Sequence, residues 1–274
     1  MNKNLWIAVI LSGIFSSALQ AETISFGIVP QQSAKKLAKL WTPINAYLSE
    51  KSGLKIQFAT AQDIPTFEKR VLAGEYDLSY MNPYHYTVFN KKPGYRAIIK
   101  QKDKRIKGIV VVPMDSKLNT LQELDGLTLS FPSPAAFAAS VLPRAKMAKD
   151  GINITPKYVS SHDSVYLTVS RGLFPAGGGV IRTFNNTDTS VKEKLKILWT
   201  TPEYTPHAFA VHPRLKPETV NKLQLALLSM NTDPVGKALL QTINFKGMEA
   251  AEDEDWDDVR ELNITLLDHL LQDQ

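Results

Sequence analysis

The chain of 274 residues carries 32 Lys and Arg against 27 Asp and Glu, is 43% hydrophobic and has no cysteine. That size and apolar fraction suit one large core or two modest ones, and the missing thiols exclude disulfide scaffolds, thiol nucleophiles and thiolate metal sites. The formal charge of +5 is unevenly spread, because residues 249–274 hold ten acidic side chains and one arginine and leave the rest of the chain basic.

The opening stretch MNKNLWIAVILSGIFSSALQA has a basic start at Lys3, an apolar run from Leu5 to Ile14 and small residues up to Ala21. It reads as a secretory signal peptide over residues 1–21, with Ala18 as the alternative cleavage point. The run is too short for a membrane anchor, which needs about 20 apolar residues. A soluble exported protein is expected, and a bacterial periplasm fits best.

After it, ISFGIV (24–29) reads as a buried strand. Leu37, Leu40, Trp41, Ile44, Tyr47 and Leu48 then recur at helical spacing, and Gly53 closes that helix as a C-cap. LKIQFAT is a strand, and DIPTFEKRVLAGEYD is a helix opened by Asp63 with Pro65 in its first turn. DLSYM, NPYHYTVFNK and YRAIIKQ continue as strand, helix, strand. A second set follows: KGIVVVPMDS, LTLSFP, a helix up to Lys149, NITPKYVSS, a helix from Asp163 to Arg171, and GGGVIRTF. ILWTTPEYTPHAFAVHP returns as two extended pieces, and 216–243 and 254–272 read as closing helices. Alternating strands and helices predict mainly parallel sheets flanked by helices. The expected architecture is α/β with two lobes: 22–108 with 205–274, and 109–204 inserted between. Extended crossings near Lys107–Pro113 and Thr201–His212 would form the hinge. Ligands of open α/β sheets bind beyond the carboxyl ends of the strands, so two facing lobes make a cleft there.

One stretch, SFPSPAAFAASVLPR (130–144), turns a strand directly into a helix and aims the first-turn amides at one spot. Such a turn favours an anion.

The opening SFGIVPQQSAKKLAKLWTPINAYLSEKSGLKIQFATAQD, then AGEYDLSYMNPYHY, LDGLTLSFPSPAAFAASVLPR and SSHDSVYLTVSRGLFPAGGGVI, resemble in order and spacing the periplasmic phosphonate/phosphite/phosphate-binding proteins of ABC transporters. The resemblance spans residues 24–245 and implies a type II periplasmic binding protein that closes on a small solute. It also implies Tyr80 and His162 as ligand contacts. Two departures stand out. Where the family carries a hydroxyl-rich Ser-Thr-Ser-Gly, this chain has Ala136, Phe137, Ala138 and Ala139. Where the family carries a Val-Asp-Ala-Gly acid, it has Phe174-Pro175-Ala176-Gly177. Phe137 at a cleft mouth would suit a ligand with an apolar or flat part.

The candidate ligand-binding residues are Tyr80, Asn82, Gln31, Gln32, Ala136, Phe137, Ala138, His162 and Arg182. Tyr84, His85, Tyr86 and Arg171 rank behind them, since Tyr84 and Tyr86 also suit core packing. Arg182, at the end of the GGGVIR strand, can grip an anion bidentately in place of the missing hydroxyls. Asp163 suits an N-cap, and His162-Asp163-Ser164 cannot form a triad because neighbours at a helix start do not face one another. The five histidines show no zinc spacing, and Gly177 to Gly179 lack the Lys-Ser/Thr of a phosphate loop; they suit a close backbone approach. No cofactor, metal or nucleic acid is expected, and no carboxylate pair or nucleophile–base spacing points to an enzyme. The expected function is capture of a small anionic or zwitterionic solute by a monomer that feeds an inner-membrane ABC permease. The alternatives are a partner that is a membrane sensor, and an exported enzyme.

Overall fold

The computed structural model describes residues 21–272, so the expected signal peptide lies, apart from Ala21, outside the described residues. In chain order the elements are β1 (Thr23–Ile28), α1 (Ala34–Ser52), β2 (Lys55–Ala59), α2 (Ile64–Leu72), β3 (Leu78–Met81), α3 (Pro83–Phe89) and β4 (Arg96–Gln101). Then come β5 (Gly108–Pro113), β6 (Thr128–Phe131), a π turn (Phe137–Val141) leading into α4 (Leu142–Lys149), β7 (Thr155–Tyr158), α5 (His162–Ser170), β8 (Gly177–Val180), α6 (Ile181–Asn185), α7 (Thr189–Lys192) and β9 (Leu195–Thr200). The chain ends with β10 (Ala208–Val211), α8 (Pro217–Ser229), α9 (Pro234–Thr242), β11 (Met248–Ala250), α10 (Asp257–Arg260) and α11 (Asp268–Gln272).

The local signals act where the sequence puts them. Ser33 caps α1 by accepting from the Lys36 amide, and Leu37, Trp41, Ile44 and Leu48 form its buried face. Gly53, at φ 70°, ends it by donating to the Ser49 carbonyl. Asp63 caps α2 at the Thr66 amide, 2.8 Å away. The closing helices are shorter than expected. Pro234 cannot continue α8, and Asp233 starts α9 afresh by accepting from Val235 and Gly236. Beyond β11 only short helices form, and Asn263 sits at φ 49° between them.

Two sheets result, ordered β11-β4-β10-β3-β1-β2 and β7-β6-β8-β5-β9. The two-lobed architecture stands, but the sheets are mixed rather than mainly parallel. β1 runs parallel to β2 and β3, while β10 is antiparallel to β3 and β4, and β11 to β4. In the second sheet β6 runs parallel to β7 and β8, whereas β5 is antiparallel to β8 and β9. The cause is the excursion itself: β10 re-enters the first sheet head-to-tail with the strands it wedges between.

The first lobe packs around Phe26, Trp41 and Phe209, with the Phe26 and Trp41 rings edge-on at 5.7 Å. Period-two alternation along β5 divides the second lobe's core. Val110 and Val112 face Leu129, Phe131 and Met147, while Ile109 and Val111 face Val165 and Tyr166. The connecting segments, residues 102–107 and 201–207, touch at one β-bridge. There Ile106 and Tyr204 exchange amide-to-carbonyl bonds of 2.7 and 3.1 Å.

Candidate functional site

The turn that opens α4 is wider than an α-helical one. The Ala136 carbonyl accepts from both Ser140 (2.7 Å) and Val141 (3.2 Å), and Pro143 has no N–H to give the Ala139 carbonyl four residues back. The amides of Phe137, Ala138 and Ala139 are left without a backbone acceptor among the described residues. The turn rests directly on the second sheet. A Cβ on Gly108 would lie 1.8 Å from the Ala138 carbonyl oxygen, and one on Gly178 would lie 1.9 Å from that of Ala139. The glycine run is therefore a seat for this backbone, as its lack of a phosphate-loop lysine implied.

Around the turn meet Gln31, Asn82, Ile106, His162, Val180 and His207, so both lobes contribute. Little room is left there, about 10 Å³, at or below what a single water needs. Phe137 is not at the cleft mouth as expected. It is 1% exposed and packs edge-on against Tyr204, with ring centres 5.4 Å apart.

Gln31 is the polar hub. Its carbonyl accepts from the His162 amide at 2.9 Å, its side-chain nitrogen lies 3.0 Å from His207 Nε2, and its side-chain oxygen accepts from Arg182. His162 Nδ1 is 2.9 Å from the Thr183 hydroxyl. Burial, and then the nearby Arg182 charge, pull His162 down to about 3, and the same two causes, in that order, put His207 well below its usual value. Both imidazoles are neutral near pH 7. Arg182 belongs to the first turn of α6, not to the end of a strand, because the backbone turns at Val180, whose carbonyl accepts from the Thr183 hydroxyl at 3.0 Å.

Beside this hub, against the connecting segments, lies a cavity of about 550 Å³. Tyr80 and His207, stacked at 4.9 Å with 21° between their planes, contribute to its wall, as do Val180 and Arg182.

The other candidates divide clearly. Asn82 caps α3 through the His85 amide (2.7 Å) and donates across the cleft to the Ala135 carbonyl (3.4 Å). Gln32 turns to Asp163 and away from the cavity. Asp163 does not cap α5, since Ser161 does so at the Ser164 amide. Asp163 instead crosses to the first lobe, accepting from the Ser33 amide (3.2 Å) and Gln32 (3.3 Å), with Lys36 at 3.9 Å. Tyr84, His85 and Tyr86 all point into the first lobe. Tyr84 accepts from the Leu267 amide, His85 meets buried Glu68 at 2.8 Å, and Tyr86 donates to Asp253. Burial first of all raises Tyr84 to about 12. Arg171 is exposed, and Ala176 is wholly buried in the second lobe's core. Sequence reasoning missed His207, a lone histidine at the second crossing. Its only signal was its place just before the strand AFAV.

Residues 26–256 match the family model described as ABC transporter, phosphonate, periplasmic substrate-binding protein. A phosphate-import protein PhnD of Mycolicibacterium smegmatis is 24% identical over 74% of this chain and 70% of its own. A phosphonates-binding periplasmic protein of Escherichia coli is 22% identical over 89% and 77%. Among solved structures, PhnD1 of Prochlorococcus marinus in complex with methylphosphonate superposes with a TM-score of 0.81 at 19% identity, covering 88% of this chain and 97% of its own. A binding-protein component of a Pseudomonas aeruginosa phosphonate transporter gives 0.83 at 17%, covering 89% and 86%. With two sheeted lobes meeting over a polar cleft and a match spanning most of its length, the chain belongs to the phosphonate-type periplasmic substrate-binding proteins of ABC transporters, which are binding proteins and not enzymes.

Proposed function

We propose that the protein holds a small anionic or zwitterionic solute between its lobes in the periplasm and delivers it to an inner-membrane ABC permease. Gln31, Asn82 and Tyr80 of the first lobe and His162 and Arg182 of the second form the grip. The lobe boundaries are those of residues 22–108 with 205–274, and 109–204, with residues 102–107 and 201–207 bending as lobe closure requires. The observation that carries the reading is the convergence of Gln31, Tyr80 and His162, from both lobes, on Arg182, which has no carboxylate partner among the described residues.

Relatives with phosphate-import and phosphonate-binding names support a permease partner and an oxyanion ligand.

The test is thermal shift against phosphate, phosphite, methylphosphonate, sulfonates and amino acids. A ligand at one hundred times its Kd adds about 2.7 kcal/mol of stability. Stabilisation by at least one oxyanion is expected, and a flat panel refutes the reading.

A further inference from the structure

We infer that Arg182 anchors the ligand, and that the ligand is an organic oxyanion larger than phosphate or methylphosphonate, its flat or apolar body lying in the cavity beside the connecting segments. This rests on the reading of the cleft as the solute site.

Space argues first. The turn at Ala136 to Ala139 leaves about 10 Å³, while the adjoining cavity offers about 550 Å³. The second value falls inside the roughly 300–1,000 Å³ range of organic-ligand pockets. A lone phosphate would leave most of it to solvent.

Charge argues second. Five cations and two carboxylates line the cavity, a surplus of three positive charges. Lys107 is paired with Glu203 at 2.5 Å and Arg105 with Asp258 at 2.6 Å. Arg182, Lys104 and Lys246 have no carboxylate within ion-pair distance among the described residues, and Asp103 is the one remaining acid on the wall. Arg182 is half-buried, and its described partner is the neutral amide oxygen of Gln31. A guanidinium so placed can offer its planar fork to an oxyanion bidentately. It thereby supplies the charge-assisted bonds that the alanines at 136, 138 and 139 cannot.

Shape argues third. Tyr80 and His207 stack on each other and contribute aromatic surface to the wall, which suits an apolar or ring-bearing body. Exposed Lys246 and half-buried Lys104 line the same cavity and can receive a second negative group on that body.

The probes are inorganic phosphate, methylphosphonate, phenylphosphonate and 4-carboxyphenylphosphonate, measured by calorimetry on the mature protein. Phenylphosphonate is expected to bind at least tenfold more tightly than methylphosphonate, and the carboxylated probe more tightly still. Arg182→Gln should cost phenylphosphonate tenfold or more, while Lys246→Gln should weaken only the carboxylated probe. If Arg182→Gln fails to fold, Arg182→Lys, which keeps the charge and loses the fork, should show an intermediate loss. Equal or tighter binding of phosphate or methylphosphonate overturns the inference and leaves the solute-binding reading standing. So does an affinity for phenylphosphonate unchanged in the arginine variants. No heat from any of the four also overturns it, whereas the solute-binding reading falls only if the wider thermal-shift panel is flat.

Discussion

Asp163 ties the lobes together through three first-lobe partners, and removing it should open them. Its carboxylate receives the Ser33 amide and Gln32 at 3.2 and 3.3 Å and has Lys36 at 3.9 Å, with about a quarter of each charged side chain exposed. Buried charge-assisted bonds contribute about 1.5–3 kcal/mol each and exposed pairs about 0.2–1. Long bonds at a half-open rim lie toward the lower figures, so Asp163 favours lobe contact by about 1–2 kcal/mol. Asp163→Ala should therefore raise the open-to-closed ratio roughly 5–30-fold, since 1.4 kcal/mol is a factor of ten. The chain has no cysteine, so Lys39→Cys and Glu193→Cys, both exposed, can carry a clean label pair. Distance distributions between the labels should shift to longer separations in Asp163→Ala. Asp163→Asn, which keeps an acceptor but loses the Lys36 charge pair, should lie between. Superimposable distributions for all three proteins at low salt would refute the argument.

Two further outcomes are expected. Gly178→Ala should destabilise the fold by about 3 kcal/mol or more, because its Cβ would sit 1.9 Å from the Ala139 carbonyl oxygen; a loss below 1 kcal/mol in urea melts would show that the turn is not seated there. His162 has its folded-state pKa depressed from 6.5 to about 3, by burial and then by Arg182, so the unfolded chain takes up that proton first. The stability this neutral histidine protects is present above pH 6.5 and is lost as pH falls toward 3, at up to about 1.4 kcal/mol per pH unit. His162→Gln should flatten the acid limb of melting temperature against pH between 6 and 4, and an unchanged limb would contradict the assignment.

The sequence exposes elements governed by short-range rules. The α1 face at Leu37, Trp41, Ile44 and Leu48, the caps at Ser33, Asp63 and Gly53, and the glycine seat under the α4 turn all follow from spacing or residue type. What stayed hidden depends on partners distant in the chain. Period-two alternation fixes which face of a strand is buried and not which way its neighbour runs, so the antiparallel entry of β10 was invisible. Arg182 was placed one element too early because a strand and the first turn of a helix share the same apolar lead-in. Asp163 looks like a cap by composition, and only lobe-to-lobe docking reveals that Ser33, Gln32 and Lys36 lie opposite it. Phe137 reads as a mouth residue until Tyr204, 67 positions away, supplies its packing surface.

β10 has a consequence for the order of assembly. All four of its residues are fully buried, and they sit between β3 and β4, made about a hundred positions earlier. Until residue 211 arrives, the leading half of the molecule holds an unfilled slot bordered by two unpaired strand edges, the kind of surface that invites sticking to other chains. The contiguous stretch from β5 to β9 has every strand of its own sheet in hand sooner. The half that starts the chain is the half that matures last, and a holding factor acting on newly exported molecules would find its target in that slot.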